Sequence, residues 1–254
     1  MKLRVLGCYG GELFGYKSSS FLVNDSLLID AGNVNVLTSV NEISGIRHLF
    51  LSHVHLDHIK ALPFVAEQLA EEGKGLDVFG TEKTIEALRN HIFNGIIWPD
   101  LSRLPSPENP AIRYKILGKE ETVTISGLSI KAVPVSHTVS SVGFVISDSE
   151  GAIVYSGDTS GTERIWGEAN NTLDLKAIIV EVSYPNRLHK RAVLTKHLTP
   201  ASLTDELKKI NLKEMTLILV SHLKPPFVDE IKKEICELAI DNLILLEEGD
   251  IFEV

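Results

Sequence analysis

Cysteine is scarce in this chain of 254 residues: Cys8 and Cys236 are the only two, and they lie far apart. Two such residues make no disulfide framework, which excludes the small stapled secreted folds and suits a reducing compartment, so a cytoplasmic protein is expected. No run of about 18 apolar residues exists, so neither a transmembrane helix nor a membrane partner is expected. The opening Met1-Lys2-Leu3-Arg4-Val5-Leu6-Gly7 is too short an apolar run for a signal peptide and soon meets Gly10-Gly11-Glu12. Positive charge is also in short supply, with Lys and Arg at 25 against Asp and Glu at 34, a net charge of -9. That balance argues against a general nucleic-acid binder, which carries a basic face to neutralise phosphates. A small phosphorylated substrate stays compatible with it, because bound divalent metals reverse the local charge. Low-complexity segments, linkers and short repeats are absent. What remains is ordinary for a globular chain, 44% apolar and 23% charged, and long enough to bury a substantial core.

Short apolar segments bounded by turn residues dominate the first stretch. Residues 3–8, 20–23, 26–29 and 49–51 read as strands, the middle two joined at Asn24-Asp25 and closed by Asp30-Ala31-Gly32. Residues 61–72 have helical spacing and stop at Gly73, 76–79 read as a strand, and 81–93 read as a helix capped by Thr81. Residues 99–110 contain four prolines and resist regular structure. Strands resume at 112–117, 121–125, 128–134, 141–146 and 152–155. Residues 176–182 and 216–220 read as strands buried on both faces. Helices are expected from Thr199-Pro200 to about residue 210 and over 227–239, with strands at 243–246 and 251–254. Periodicity alone says only that α and β are mixed.

The densest chemistry lies in His53-Val54-His55-Leu56-Asp57-His58, where four metal-competent side chains occupy six residues of a chain with nine histidines. The other candidates also sit just after expected strands: His137, Asp158 and His222. Loops at strand ends are where a rigid scaffold presents functional groups. Imidazole and carboxylate together favour zinc, with iron or manganese as alternatives. In an extended segment His53 and His55 point the same way and can share one ion. Asp57 and His58, farther on, can face a second.

His-x-His-x-Asp-His followed by a single His, an Asp and another His resembles the metallo-β-lactamase superfamily, over almost the whole chain. The resemblance implies an α+β, four-layered αββα sandwich, a single domain over 1–254 with an insertion near 81–110, and a site for two divalent metal ions. It implies that His53, His55 and His137 hold one metal, that Asp57, His58 and His222 hold the other, and that Asp158 bridges them. The finer likeness is to the class II cyclic nucleotide phosphodiesterases. It is carried by His53–His58, by His91-Ile92-Phe93-Asn94 with Ile97-Trp98-Pro99-Asp100, and by Ser136-His137-Thr138 leading to Val142-Gly143-Phe144. Ser156-Gly157-Asp158-Thr159, Glu181-Val182-Ser183-Tyr184-Pro185-Asn186 and His197-Leu198-Thr199-Pro200 carry it further. Ala61 departs from that pattern, which usually has Gly there.

This resemblance implies hydrolysis of 3′,5′-cyclic AMP or cyclic GMP to the 5′-monophosphate by a hydroxide bridging the two metals, with Asp57, Asp158 and His197 catalytic. The choice between the two nucleotides is left open. Glu181 with His197 is similar to an arrangement in the tRNA 3′-processing nucleases, which makes such a nuclease, or another phosphodiesterase of the superfamily, the alternative. His197 is expected near the scissile phosphate as a proton donor, and Thr159 beside the metal pair. His48, His91 and His189 are expected to be structural or surface residues. The 81–110 excursion, with Trp98, is expected to cap the site or to form a homodimer contact.

Overall fold

Strands of the first half carry apolar side chains on both faces, and this dictates the layering. The computed structural model describes every residue except Thr38 and Lys119, and only the backbone of Val40. In it Phe21, Val23, Leu27, Ile29, Phe50 and Phe79 enter a core shared with the second half. Their strand neighbours Leu22, Leu28, Leu49, Leu51 and Val78 enter a separate core on the opposite face. The alternation is the two-residue period of a pleated strand. A sheet apolar on both sides must be covered on both. One cover is the helix Leu62–Glu71, whose Leu62, Val65, Ala66 and Leu69 recur at helical spacing. The other cover is a second sheet. Its outer side carries Ile165 and Trp166 of helix Arg164–Asn171, Leu203 of Pro200–Leu207 and Ile231 of Val228–Cys236. The result is the αββα sandwich.

Both sheets have seven strands and the same mixed plan. The first runs Ile251–Glu253, Lys2–Gly7, Ser20–Val23, Leu27–Ile29, His48–Phe50, Leu76–Gly80, Ile112–Ile116. Its pairings are antiparallel up to Leu27–Ile29 and parallel beyond it. The second runs Leu243–Leu245, Leu217–Ser221, Leu175–Glu181, Ala152–Tyr155, Val142–Ser147, Leu128–Pro134, Thr122–Ile125, parallel over its first three pairings and antiparallel after them. Parallel neighbours require a crossover, and helices make it. Phe50 joins the sheets: it stacks on Phe79 with centroids 4.3 Å apart and meets Phe144 of the other sheet edge-on at 5.8 Å.

Several elements depart from the sequence reading. The helix expected over 81–93 is α-helical only over Glu82–Ala87; Leu88–Ile92 is a π-helical turn closed by Phe93 N–H to Leu88 O at 2.8 Å. Leu88 and Phe93 are both buried. Five residues apart, they would fall on different faces of an α-helix, and the wider turn lets both face the core. The proline-rich stretch forms a two-residue hairpin, Pro105–Ser106 with Asn109–Pro110. Helices Val40–Gly45, Arg164–Asn171 and His189–Thr195 had no signal in the reading, because each is short and buries few apolar residues. No helix among the described residues is long and apolar enough to cross a membrane.

Replacing Phe50 by Ala removes a ring that stacks on a sheet neighbour and also meets the facing sheet edge-on. A loss of about 3–5 kcal/mol in unfolding free energy is expected from urea denaturation; a loss below about 1 kcal/mol would show that the sheets do not depend on this contact.

Candidate metal centre

Strand direction gathers the candidate residues. In the second sheet Ala152–Tyr155, Leu175–Glu181 and Leu217–Ser221 are adjacent and parallel, so their carboxyl ends lie side by side. Those ends lead to Asp158, Glu181 and His222. Leu128–Pro134 is two antiparallel steps from Ala152–Tyr155 and therefore points the same way, bringing His137 to the same edge. In the first sheet Leu27–Ile29 and His48–Phe50 are parallel neighbours, which sets Asp30 beside Ser52 and His53. Open α/β sheets bind ligands at such carboxyl edges. Asp57 and His58 lie in a helical turn, Leu56–Ile59. That turn packs so tightly on the Asp30 loop that a Cβ on Gly32 would stand 2.1 Å from Asp57 O. Ala61 tolerates its methyl because its backbone is right-handed helical, φ -82°, a conformation that asks for no glycine.

Three groups of donor atoms result; Asp158 reaches into the two that draw on His53–His58, and the third joins it with His197 and His222. Nε2 of His53, Nδ1 of His55, Nε2 of His137 and a carboxylate oxygen of Asp158 lie within 4.8 Å of one another, as do the donors of Asp57, His58 and His222. His53 Nε2 and His137 Nε2 are 3.0 and 3.2 Å from His55 Nδ1. His58 Nε2 and His222 Nε2 are 3.2 Å apart, and His222 Nε2 is 3.5 Å from Asp57 Oδ2. Asp158 reaches His53 with Oδ2 at 3.7 Å, His222 with Oδ2 at 3.2 Å and His58 with Oδ1 at 3.4 Å. Asp158 Oδ1 is buried and accepts no hydrogen bond. A buried, unsatisfied carboxylate oxygen facing clustered imidazoles is costly, and divalent cations at the two donor groups would satisfy it.

All but one of these rings are aimed by an outer partner at Nδ1. His58 Nδ1 contacts Asp30 Oδ2 at 2.8 Å, His53 Nδ1 contacts Ser52 Oγ at 3.0 Å, His137 Nδ1 contacts Lys196 O at 3.1 Å and His222 Nδ1 contacts Ser183 Oγ at 2.9 Å. Each leaves Nε2 turned inward; His55 alone presents Nδ1. Such outer partners set ring orientation and tautomer. Burial first, then the neighbouring His58, holds His53 well below the usual imidazole range, and burial lowers His137 to about 4. Both rings are therefore neutral at pH 7, with a lone pair to offer. Burial opposes charge on His58, but Asp158 and Asp30 outweigh it and hold its pKa well above the usual range. Burial would likewise raise Asp158, and His222 and His58 hold it down instead. The carboxylates thus draw positive charge into the site.

His197 shares a donor group with Asp158 and His222 and lies outside the ligand set expected from sequence. Its Nδ1 lies 2.8 Å from Glu181 Oε1, 3.1 Å from Ser183 Oγ and 4.0 Å from Asp158 Oδ2. Burial disfavours its charge, but Glu181 raises its pKa. Thr159 donates its N–H to Glu181 Oε1 at 2.9 Å, and its Oγ accepts from Ser136 N–H at 3.1 Å, so it braces the site from behind. His91 and His189 are exposed and remote from the donor atoms. Trp98 packs edge-on against Phe64 at 5.2 Å, near Leu56 of the Leu56–Ile59 turn.

Asp30, Ser183 and Lys196 escaped the sequence reading. Asp30 is fully buried, left-handed at φ 53°, and accepts from Ser52 N–H, Ser52 Oγ and Tyr155 Oη at 2.7–2.8 Å besides His58. In sequence it looks like a turn residue ending a strand. Its one legible signal was a carboxylate directly after three apolar strand residues. Ser183 Oγ donates to Glu181 Oε2 at 2.8 Å while meeting His222, linking the His197 pair to the donor set. Lys196 takes its ammonium back to His137 O at 2.8 Å, so the two loops clasp each other.

With this geometry in view, likeness to known proteins adds a context. The β-lactamase superfamily domain matches residues 26–222. The probable 3′,5′-cyclic-nucleotide phosphodiesterase of Yersinia pestis is 29% identical over 236 residues, 81% of this chain and 67% of its own. Ribonuclease Z of Methanococcus maripaludis is 29% identical over 114 residues, only 43% of this chain and 34% of its own. The crystal structure of unliganded yeast PDE1 superposes with a TM-score of 0.81 at 21% identity, covering 98% of both chains, and shares the fold. The chain spans between 55% and 70% of the lengths of the cyclic-nucleotide phosphodiesterases that it matches over 70–81% of itself.

An Asp30→Asn substitution keeps the shape while removing the carboxylate that aims His58. Zinc affinity, measured by competition with a chromophoric chelator, is expected to fall about 10–100-fold. Unchanged affinity would show that Asp30 does not orient a ligand.

Proposed function

We propose, for a chain that belongs to the β-lactamase superfamily, that it is a metal-dependent phosphodiesterase opening 3′,5′-cyclic nucleotides to nucleoside 5′-monophosphates. The observation that carries the reading is the pair of donor groups meeting at Asp158, in a chain that matches a relative of that name over 81% of its length. His53, His55 and His137 would hold one divalent ion and Asp57, His58 and His222 the other, with Asp158 shared; zinc suits the donor set best, and iron or manganese would also fit. Bound there, such a pair supplies an ionised water near neutral pH and neutralises charge on the phosphoryl oxygens.

The chain's own residues do the rest. Ser52, Asp30, Lys196 and Ser183 hold the imidazoles in place before substrate arrives, so little reorganisation is needed during reaction. The leaving 3′ oxygen needs a proton, and His197 is assigned to deliver it. With Nδ1 committed to Glu181 at 2.8 Å, Nε2 is the ring nitrogen left to donate. Glu181 stabilises the imidazolium before transfer.

A tRNA-processing nuclease is the second reading, favoured by the Glu181–His197 pair and by the shorter match to ribonuclease Z. The net charge of -9 opposes it, since a long RNA must be held by its phosphates.

The test is a panel of cyclic AMP, cyclic GMP, a linear phosphodiester and pre-tRNA, with metal analysis on the same sample. Turnover of a cyclic nucleotide, lost with a chelator and restored by zinc, is expected; turnover of pre-tRNA alone would overturn the first reading. Asp158→Ala should abolish hydrolysis with the circular-dichroism spectrum unchanged, and a variant working at the parent rate would sink the shared-carboxylate assignment. His197→Gln should lower kcat about 10²–10⁴-fold with metal content intact, whereas a drop in metal content of the same size would make His197 a ligand.

A further inference from the structure

A cavity borders the donor set at His137. It measures about 460 Å³ and is bounded by His137, Val54, Ala87, Thr138, Val139 and Lys83. That volume lies within the ~300–1,000 Å³ typical of small-molecule sites. Its walls come from three parts of the chain: the ligand loop, the loop after His137, and helix Glu82–Ala87 at the start of the 81–110 excursion. The cavity next to Leu56 and Trp98 is smaller, about 170 Å³, and includes no donor residue.

The two sides of the donor set differ in kind. Around Asp57 and His222 most neighbours are charged or hydrogen-bonded, namely His197, Glu181, Ser183 and Lys224, whose ammonium is 3.7 Å from Asp57 Oδ2, and the Tyr184 ring stands 5.9 Å beyond, against His197. Around His137 the wall is apolar, from Val54, Ala87 and Val139, the last 36% exposed. Hydroxyl residues Thr84, Thr138 and Ser140 edge that wall, and Ser140 Oγ is 3.2 Å from Thr81 Oγ in the adjoining cavity. Lys83 is exposed at the mouth, and its ammonium has no hydrogen bond or ion pair among the described residues. Lys83 and Ser140 also line that adjoining cavity, of about 420 Å³, so the groove continues away from the metal centre.

We infer that the nucleoside half of the substrate lies in this cavity, its flat base between Ala87 and Val139, and that helix Glu82–Ala87 thereby selects nucleotides over simple phosphodiesters. A base is apolar on its faces and polar at its edge, which is the division these walls offer: aliphatic surfaces on either side, with hydroxyls and one ammonium at the margin. The inference rests on the phosphodiesterase reading, but binding tests it separately from turnover.

The metal-loaded protein is titrated with 5′-AMP and with inorganic phosphate by calorimetry. Ala87→Phe and Val139→Trp fill the cavity from opposite sides, and Ala87 sits on a helix away from the donor loops. Each variant is expected to weaken 5′-AMP about tenfold or more while phosphate changes less than about twofold. Unchanged 5′-AMP affinity in Ala87→Phe overturns the assignment. So does a parent protein that binds 5′-AMP no tighter than phosphate, which would mean that no nucleoside subsite exists. Equal weakening of both probes also overturns it, because the change would then act on the metal centre. Failure of the parent to hydrolyse any cyclic nucleotide, with 5′-AMP still bound selectively, removes the proposed reaction and leaves the subsite.

Discussion

A carboxylate sealed among imidazoles governs this molecule. Asp158 is 2% exposed, faces His53, His58, His137 and His222 at 3.2–3.9 Å, and leaves one oxygen without a hydrogen bond. Isolated, such an anion would cost several kcal/mol to bury. The site answers with positive charge, on His58 where the protein stands alone, and with divalent ions in the proposed holoenzyme. Every outer contact serves that arrangement. Asp30, Ser52, Lys196 and Ser183 each take an Nδ1, so that four Nε2 atoms turn inward toward Asp158.

Stiffness at the site comes from the sheets. The donors hang from carboxyl ends of strands that are parallel or two antiparallel steps apart, and the strands are clamped by Phe50 against Phe79 and Phe144. Tyr155 Oη donates to Asp30 across the sandwich at 2.8 Å and Val142 N–H donates to Ser52 O at 3.0 Å, so hydrogen bonds tie the two halves at the base of the centre. A shift of one sheet against the other would move His53, His55 and His58 relative to Asp158 and His222. Core packing and site geometry are therefore one constraint.

Much of the fold is legible because its strands are short, apolar and separated by turn residues; the strands expected over 128–134 and 152–155 match to the residue. The donors were legible for a different reason: histidine and aspartate packed so densely have few uses besides a metal. The segments that eluded the reading carry weak local signals. The π-turn at Leu88–Ile92 exists to bury Leu88 and Phe93 together, a demand made by the core and not by the helix. Helix Arg164–Asn171 hides only Ile165, Trp166 and Ala169 within a polar stretch.

By itself the sequence determined which side chains can take a cation, that they follow strands, and that His53–His58 supplies four of them, because local pattern and residue chemistry suffice for those statements. Only the tertiary structure decided which atoms meet. Sheet order brings Asp158 between two groups that each draw on both halves of the chain, and hydrogen bonds to Asp30, Ser183 and Lys196 choose the nitrogen that His58, His222 and His137 present. Those partners look like turn and loop residues in the chain, since a hydrogen bond between positions such as 30 and 155 leaves no trace in the order of residues around either.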